Sequence, residues 1–198
     1  GKEGVNMNAM EFGKYARLND LAEQGGVVIF GCGEDTSIPT CELRQAFSLD
    51  EKVYNRSFSD MTIDEAADAY NRAVAPLDPE AVLLHLGQAD RQRFAEDASS
   101  FDQAYIALIR AIRAQDKDCR IVVVSLKNYD NDPAIEEMNR HLRFIADSEK
   151  CAFGDIAEKK VWNPKSSMRA SSFVHSLNFP FQNREPVYDL VKIMFCCA

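Results

Sequence analysis

The sequence predicts an α/β domain in which a parallel sheet is covered by helices on both faces, a three-layer α/β/α arrangement. Five short apolar runs alternate along the chain with amphipathic helical segments. Such alternation is typical of βαβ units, whose strands are buried between helices. With 198 residues the chain is long enough to bury a full core, and we interpret residues 1–198 as a single domain.

The five predicted strands are short and mostly apolar, as expected for strands that are buried on both faces. They cover residues 27–31, 52–56, 81–86, 121–126 and 151–156. The fourth, IVVVSL, has the strongest β-branched character. A long stretch rich in Ser, Asn, Pro and Phe follows the fifth strand at 157–183, and we expect it to be irregular.

Helix signals separate these strands. Residues 1–26 form a lead-in whose helix, 8–24, ends at Gly25-Gly26. Thr62 and Glu65 have the spacing of a capping box, in which each side chain bonds the backbone of the other. The remaining helices are predicted to start near Ser37, at the cap Ser100, at Asp132-Pro133 and near Glu185.

Composition argues against several classes of partner. The net charge of −8 and the pI near 5.0 leave no basic face for a phosphate backbone, so we expect no nucleic-acid partner. No apolar run approaches the roughly 20 residues that cross a bilayer, so we expect no membrane span. Nothing in the sequence indicates a cofactor or an oligomeric state.

The six cysteines show neither a CxxC pair nor the paired Cys/His spacing of a zinc site, so no metal is expected. Without a disulfide framework we favour a reducing, cytoplasmic location. The sequence starts with Gly1 rather than Met, so a signal peptide cleaved before residue 1 stays open as the alternative.

Candidate chemistry lies where predicted strands end, because sites in parallel sheets gather at the carboxyl ends of strands. The first strand ends in Gly31-Cys32-Gly33. Cys32 is either a thiolate nucleophile, if a base reaches it, or a buried apolar residue under the turn. His175, in the late loop, is either a general base or a histidine bonded to backbone. We interpret His85, inside the third strand, as a hydrogen-bonded core residue.

Four motifs now follow in a recognisable order. They are VVIFGCG, VYNRSFSDMT, VLLHLGQAD and SSFVHSLNF. Their order and spacing resemble the SGNH (GDSL-like) hydrolases, which have Gly-Asp-Ser, Asn-Arg-Gly-x-x-Gly-x-Thr, Gly-x-Asn-Asp and Asp-x-x-His at these places. The resemblance spans about Val27 to Phe195. It implies a flavodoxin-like sheet of five parallel strands and an ancestry among acyl-ester hydrolases.

Most site positions of that family are substituted here. By the resemblance, Gly33 stands where the family has the nucleophilic Ser, and Ser172 where it has the triad Asp. The other substituted positions are Cys32 for the Asp of Gly-Asp-Ser, Asp60 for the oxyanion-hole Gly and Ala89 for the oxyanion-hole Asn. The positions that persist are Gly31, Gly87, Asp90 and His175.

These losses compound. Without a hydroxyl at position 33 a base has nothing to activate there. Loss of the carboxylate that orients the His costs about 10⁴-fold in the serine proteases. Loss of one side-chain oxyanion donor typically costs about 10²–10³-fold.

We therefore expect a degenerate esterase that keeps a pocket for a small molecule, either a carbohydrate or an acyl-bearing ligand. The pocket would be lined by Cys32, Gly33, Ser59, Asp60, Gly87, Ala89, Asp90, Ser172 and His175. Two alternatives stay open. The first is an active acylhydrolase whose nucleophile has moved to Thr36, Ser37 or Cys32, and the second is a structural or partner-binding domain.

Overall fold

The structure, a computed structural model, describes residues 7–164 and the backbone of residues 174–176. Its strands are β1 (Val27–Gly31), β2 (Val53–Asn55), β3 (Ala81–His85), β4 (Arg120–Val124), β5 (Ala152–Asp155), β6 (Lys160–Trp162) and β7 (Val174–Ser176). They form one sheet in the order β2-β1-β3-β4-β5-β6-β7. The first five run parallel, whereas β6 is antiparallel to β5 and β7 is antiparallel to β6.

The prediction of an α/β fold with a mostly parallel sheet between helices is confirmed. The five parallel strands begin and end close to their predicted bounds. The expectation that 157–183 is irregular was wrong, because β6 and β7 lie in it. Each has only three residues, too few to show the alternation from which a strand can be predicted.

Six α-helices lie within residues 7–164, one ahead of β1 and the others between strands. They are α1 (Met7–Leu21), α2 (Thr40–Ala46), α3 (Ile63–Ala69), α4 (Arg91–Glu96), α5 (Ala98–Gln115) and α6 (Pro133–Ser148). Within residues 7–164, none of them combines the length and the apolarity needed to cross a membrane. The helix predicted from Glu185 lies outside the described residues.

Two of the three predicted caps are confirmed. The Glu65 carboxylate accepts the Thr62 N–H at 3.0 Å, and the Asp132 side chain accepts from the N–H of the second helical residue of α6. The Ser100 cap was wrong, because α5 begins three residues earlier and Asp97 is its N-cap. The Asp97 carboxylate accepts the Ser100 N–H at 3.1 Å, so Ser100 is the residue that is capped and Asp97 is the cap.

The core has two parts, one on each face of the sheet. Alternate residues of β1 point to opposite sides: Val28 and Phe30 join the larger cluster, and Val27 and Ile29 join the smaller one. The larger cluster includes residues of α1, α3, α5 and α6, whereas Leu43 of α2 packs on the smaller cluster. Helices on both faces give the predicted three layers and leave the carboxyl ends of the strands to the connecting loops.

Candidate functional site

The turn after β1 contains Gly33, the position at which the resemblance to the SGNH hydrolases would place a nucleophilic Ser. Cys32 forms a parallel bridge to Phe58, and the Gly33 N–H donates to the Phe58 carbonyl at 2.9 Å. Gly33 has φ +70°, a left-handed conformation that glycine adopts at no steric cost. Residues 33–37 continue as a 3₁₀ turn. The chain therefore has no side chain at this point, and its backbone conformation disfavours one.

Cys32 lies under the turn and is only 6% exposed. Its Sγ accepts the Met61 N–H at 3.3 Å. Burial raises the pKa of the Cys32 thiol, and the nearby carboxylate of Asp60 raises this pKa further, whereas the Met61 bond lowers it. At neutral pH the group is a thiol rather than a thiolate. This environment favours the buried interpretation of Cys32 over the nucleophilic one.

Thr36 and Ser37 are the hydroxyls proposed for a relocated nucleophile. Thr36 Oγ1 donates to the Gly33 carbonyl at 2.9 Å, so its proton is used within the turn. Ser37 is exposed at the end of the 3₁₀ turn. Within residues 7–164, neither hydroxyl is hydrogen bonded to an imidazole.

The loop 57–60 faces this turn and is held by α1. Glu11 accepts the Ser59 N–H with both carboxylate oxygens, at 3.0 and 3.1 Å, and also contacts the Ser59 hydroxyl. The Asn8 side chain donates to the Asp60 carbonyl at 2.8 Å. A negative carboxylate thus already occupies the donors of Ser59. Asp60 is exposed, and its own carboxylate adds negative charge beside them.

The loop after β3 contributes Gly87, Ala89 and Asp90. Gly87 is buried with φ +127°, and Ala89 is exposed. Asp90 is 2% exposed and accepts the Ile63 N–H with both oxygens, at 3.3 and 3.0 Å, so it stabilises the start of α3. Burial raises the pKa of Asp90 to about 6, although the Ile63 bond and the charge of Arg93 lower it.

A buried pair that the sequence did not reveal lies between these loops. His85 Nδ1 and Asp35 Oδ2 are 2.5 Å apart, and the two side chains are 1% and 2% exposed. The interpretation of His85 as a hydrogen-bonded core residue is confirmed. Its partner was missed because the two residues are 50 positions apart. No local pattern joins them; the parallel register of β1 and β3 does, because it places Gly31, just before the turn, opposite His85.

Of the two remaining predicted site residues, the structure describes only the backbone of His175. The backbone of His175 belongs to β7 and pairs with Val161 of β6. From β1 to β7 the sheet spans five strand spacings, about 24 Å at about 4.8 Å each. The structure therefore gathers Cys32 and Gly33 with the loops of Ser59 and Asp90, but it does not bring the His175 backbone to them. Ser172 lies outside the described residues.

Comparison with known families agrees with this arrangement of strands and loops. The model of the GDSL-like lipase/acylhydrolase family matches residues 15–175. The chain belongs to the GDSL-like lipase/acylhydrolase family. The resemblance inferred from the four motifs is thereby confirmed. No curated protein matches the chain in sequence.

Several solved structures share the fold. A Streptococcus pneumonia protein described as a platelet activating factor matches with a TM-score of 0.65 at 13% identity, covering 77% of this chain and 76% of that one. A GDSL-like lipase from Bacteroides thetaiotaomicron matches with 0.57 at 17% identity, covering 73% and 77%. An acetyl xylan esterase matches with 0.56 at 17% identity, covering 65% and 76%. At these identities the likeness shows the fold alone.

The groups near the turn after β1 limit the chemistry that this part of the structure can perform. Among the described residues near the turn after β1, the thiol and hydroxyl groups are those of Cys32, Thr36, Ser37, Ser57 and Ser59. The first three are described above, Ser57 Oγ accepts the Gly31 N–H at 3.0 Å, and Ser59 contacts Glu11. The described residues also include no cluster of His, Cys, Asp and Glu that could hold a metal ion. The arrangement suits holding a neutral group better than stabilising an oxyanion.

Proposed function

We propose that this GDSL-family protein does not hydrolyse esters and instead binds a small molecule at the carboxyl ends of its strands. The observation that carries the proposal is Gly33. It follows β1, where the family has its nucleophile, and it has neither a side chain nor a conformation that readily accepts one.

Three further observations support this proposal. The thiol of Cys32 is buried and its pKa is raised. Glu11 holds the Ser59 donors, and its negative charge would oppose an oxyanion there. The only imidazole near the turn within residues 7–164 is His85, which is buried and bonded to Asp35. Each of the three would have to change before acyl transfer at this turn.

The ligand we propose is a carbohydrate or an acyl-bearing compound, held by the strand-end loops of a single domain over residues 1–198. Among the residues expected to line the pocket, Gly33, Ser59, Asp60 and Ala89 retain exposed surface, whereas Cys32, Gly87 and Asp90 are buried beneath them. The exposed members would contact the ligand and the buried members would shape the loops. The contributions of Ser172 and His175 stay predictions.

Turnover of p-nitrophenyl acetate tests the proposal. We expect no steady-state rate above buffer for the wild type. A sustained rate that Thr36→Val, Ser37→Ala, Cys32→Ala or His175→Ala abolishes would overturn the proposal in favour of a relocated nucleophile. Cys41→Ala is the control, because the exposed Cys41 thiol can be acylated once without turnover.

A further inference from the structure

The loops at the carboxyl ends of β4 and β5 lie two and three strands along the sheet from the turn of Gly33. A cavity of about 340 Å³ opens there, within the size range of small-ligand sites. Leu126 and Ile156 form its apolar floor, and both are buried. The Ile156 N–H donates to the buried Ser125 hydroxyl at 2.8 Å and so ties the ends of the two strands together.

The wall above this floor is held by side-chain amides. Asn139 of α6 accepts the Leu126 N–H at 2.7 Å and donates to the Leu126 carbonyl at 3.0 Å. Asn128 does the same for Asp132, accepting its N–H at 2.8 Å and donating to its carbonyl at 3.0 Å. The loop 126–132 is therefore held at both ends by these amides before any ligand binds, which lowers the entropic cost of binding.

The rim of the cavity consists of exposed side chains that have no hydrogen bond or ion pair with any other residue in 7–164. They are Tyr129, Asn131, Glu136 and Lys159. Tyr129 is 68% exposed, in contrast to the amides below it that hold the loop. An exposed aromatic ring above a fixed apolar floor offers a flat contact surface with a polar tip.

Charge around the cavity is balanced. Lys127 lies 3.8 Å from Glu34 of the turn after β1, and the rim has one carboxylate, Glu136, and one ammonium group, Lys159. With Glu34 included, the two ammonium groups and the two carboxylates cancel, so these side chains carry no net charge. The rim instead offers acceptors and donors side by side, which matches hydroxyl groups because each hydroxyl both donates and accepts.

We propose that this cavity binds a neutral saccharide. The ring of Tyr129 lies against the apolar face of one sugar unit, and Asn131, Glu136 and Lys159 bond its hydroxyls. This inference names the ligand class and rests on the proposed function in that respect. It places the sugar two strands along the sheet from the turn after β1, with Glu34 and Lys127 connecting the two loops.

Saturation-transfer NMR with xylotriose, cellotriose and maltotriose tests this site on the full-length chain. We expect at least one trisaccharide to give a signal at about 5 mM, which is reachable for affinities in the millimolar range or better. Tyr129→Ala should weaken that binding about five- to tenfold, as loss of an aromatic contact does. Tyr129→Phe, which keeps the ring, should change it by less than about twofold.

The matched control is Phe144→Ala, which removes another highly exposed aromatic ring, on α6 and away from this cavity. It should leave binding unchanged. Absence of signal from all three trisaccharides, or equal binding by wild type and Tyr129→Ala, would overturn the site. Ester turnover does not enter this readout, so hydrolysis of p-nitrophenyl acetate would overturn the proposed function and leave the saccharide site standing.

Discussion

Replacing Gly31 by alanine should break the buried pair between Asp35 and His85. A Cβ on Gly31 would overlap with Asp35 Oδ2 and would lie 2.9 Å from its Cγ, far inside ordinary contact. The carboxylate cannot turn aside and keep its 2.5 Å contact with His85. Overpacking costs about 1–3 kcal/mol, and a buried hydrogen bond to a charged group contributes about 1.5–3 kcal/mol. We expect Gly31→Ala to lower the free energy of unfolding by about 3–5 kcal/mol.

Urea unfolding followed by circular dichroism measures this loss. Gly13→Ala is the matched control, because Gly13 lies within α1 and its added Cβ would meet only the Arg17 guanidinium, at 3.5 Å. It should stabilise the protein by about 0.5–1 kcal/mol, the helix preference of alanine over glycine.

A double variant separates the clash from other effects of alanine at position 31. Asp35→Ala removes the group with which the new Cβ collides, so Gly31→Ala in that background should add less than about 0.5 kcal/mol to the loss. Additive losses, or a Gly31→Ala variant as stable as the wild type, would refute the argument that Gly31 exists to admit Asp35.

Three other outcomes follow from the site. Because the pKa of Asp90 is about 6 in the fold against 3.8 ordinarily, the folded state binds the proton more tightly, and stability is lost as pH rises from about 4 to about 6. Asp90→Asn should remove that part of the slope, at most about 3 kcal/mol, in urea midpoints at about pH 4 and pH 7; an unchanged slope contradicts it. Glu11→Ala should cost about 1–2 kcal/mol by leaving Ser59 without its acceptor, and Glu11→Gln should cost less, by the same unfolding assay. Iodoacetamide with peptide mapping should label the exposed Cys41 at least about tenfold faster than Cys32, which is buried with a raised pKa; comparable labelling would show that the turn opens.

Local patterns in the sequence were enough to predict the parallel part of the fold. Apolar runs and helix caps each depend on residues close in sequence, and they located β1–β5 and the Thr62 and Asp132 caps. β6 and β7 were missed because three residues give no period. The Ser100 cap was misplaced because Asp97 and Ser100 both suit a helix start, and only the backbone decides between them.

The site could be predicted only in part. The motifs located the turns at the strand ends, because each motif contains a strand and the turn residues that directly follow it in the chain. They could not pair Asp35 with His85 or Glu11 with Ser59, since these contacts join residues about 50 positions apart. The cavity beside Tyr129 has no motif at all. It follows from the packing of two loops. The cytoplasmic location inferred from the cysteines stays a prediction.

The hydrogen bonds between α1 and the loop 57–60 have a practical consequence for shortening the chain. The family match begins at residue 15, midway through a helix that starts at Met7. A shortened protein cut at that boundary would lose Asn8, Glu11 and the ring of Phe12, which lies 5.0 Å from the Phe58 ring. The cut would expose the face of the Phe58 ring that Phe12 covers, and it would leave the Ser59 N–H without its acceptor. Family boundaries are therefore the wrong place to trim this chain, and the residues ahead of them belong to the site.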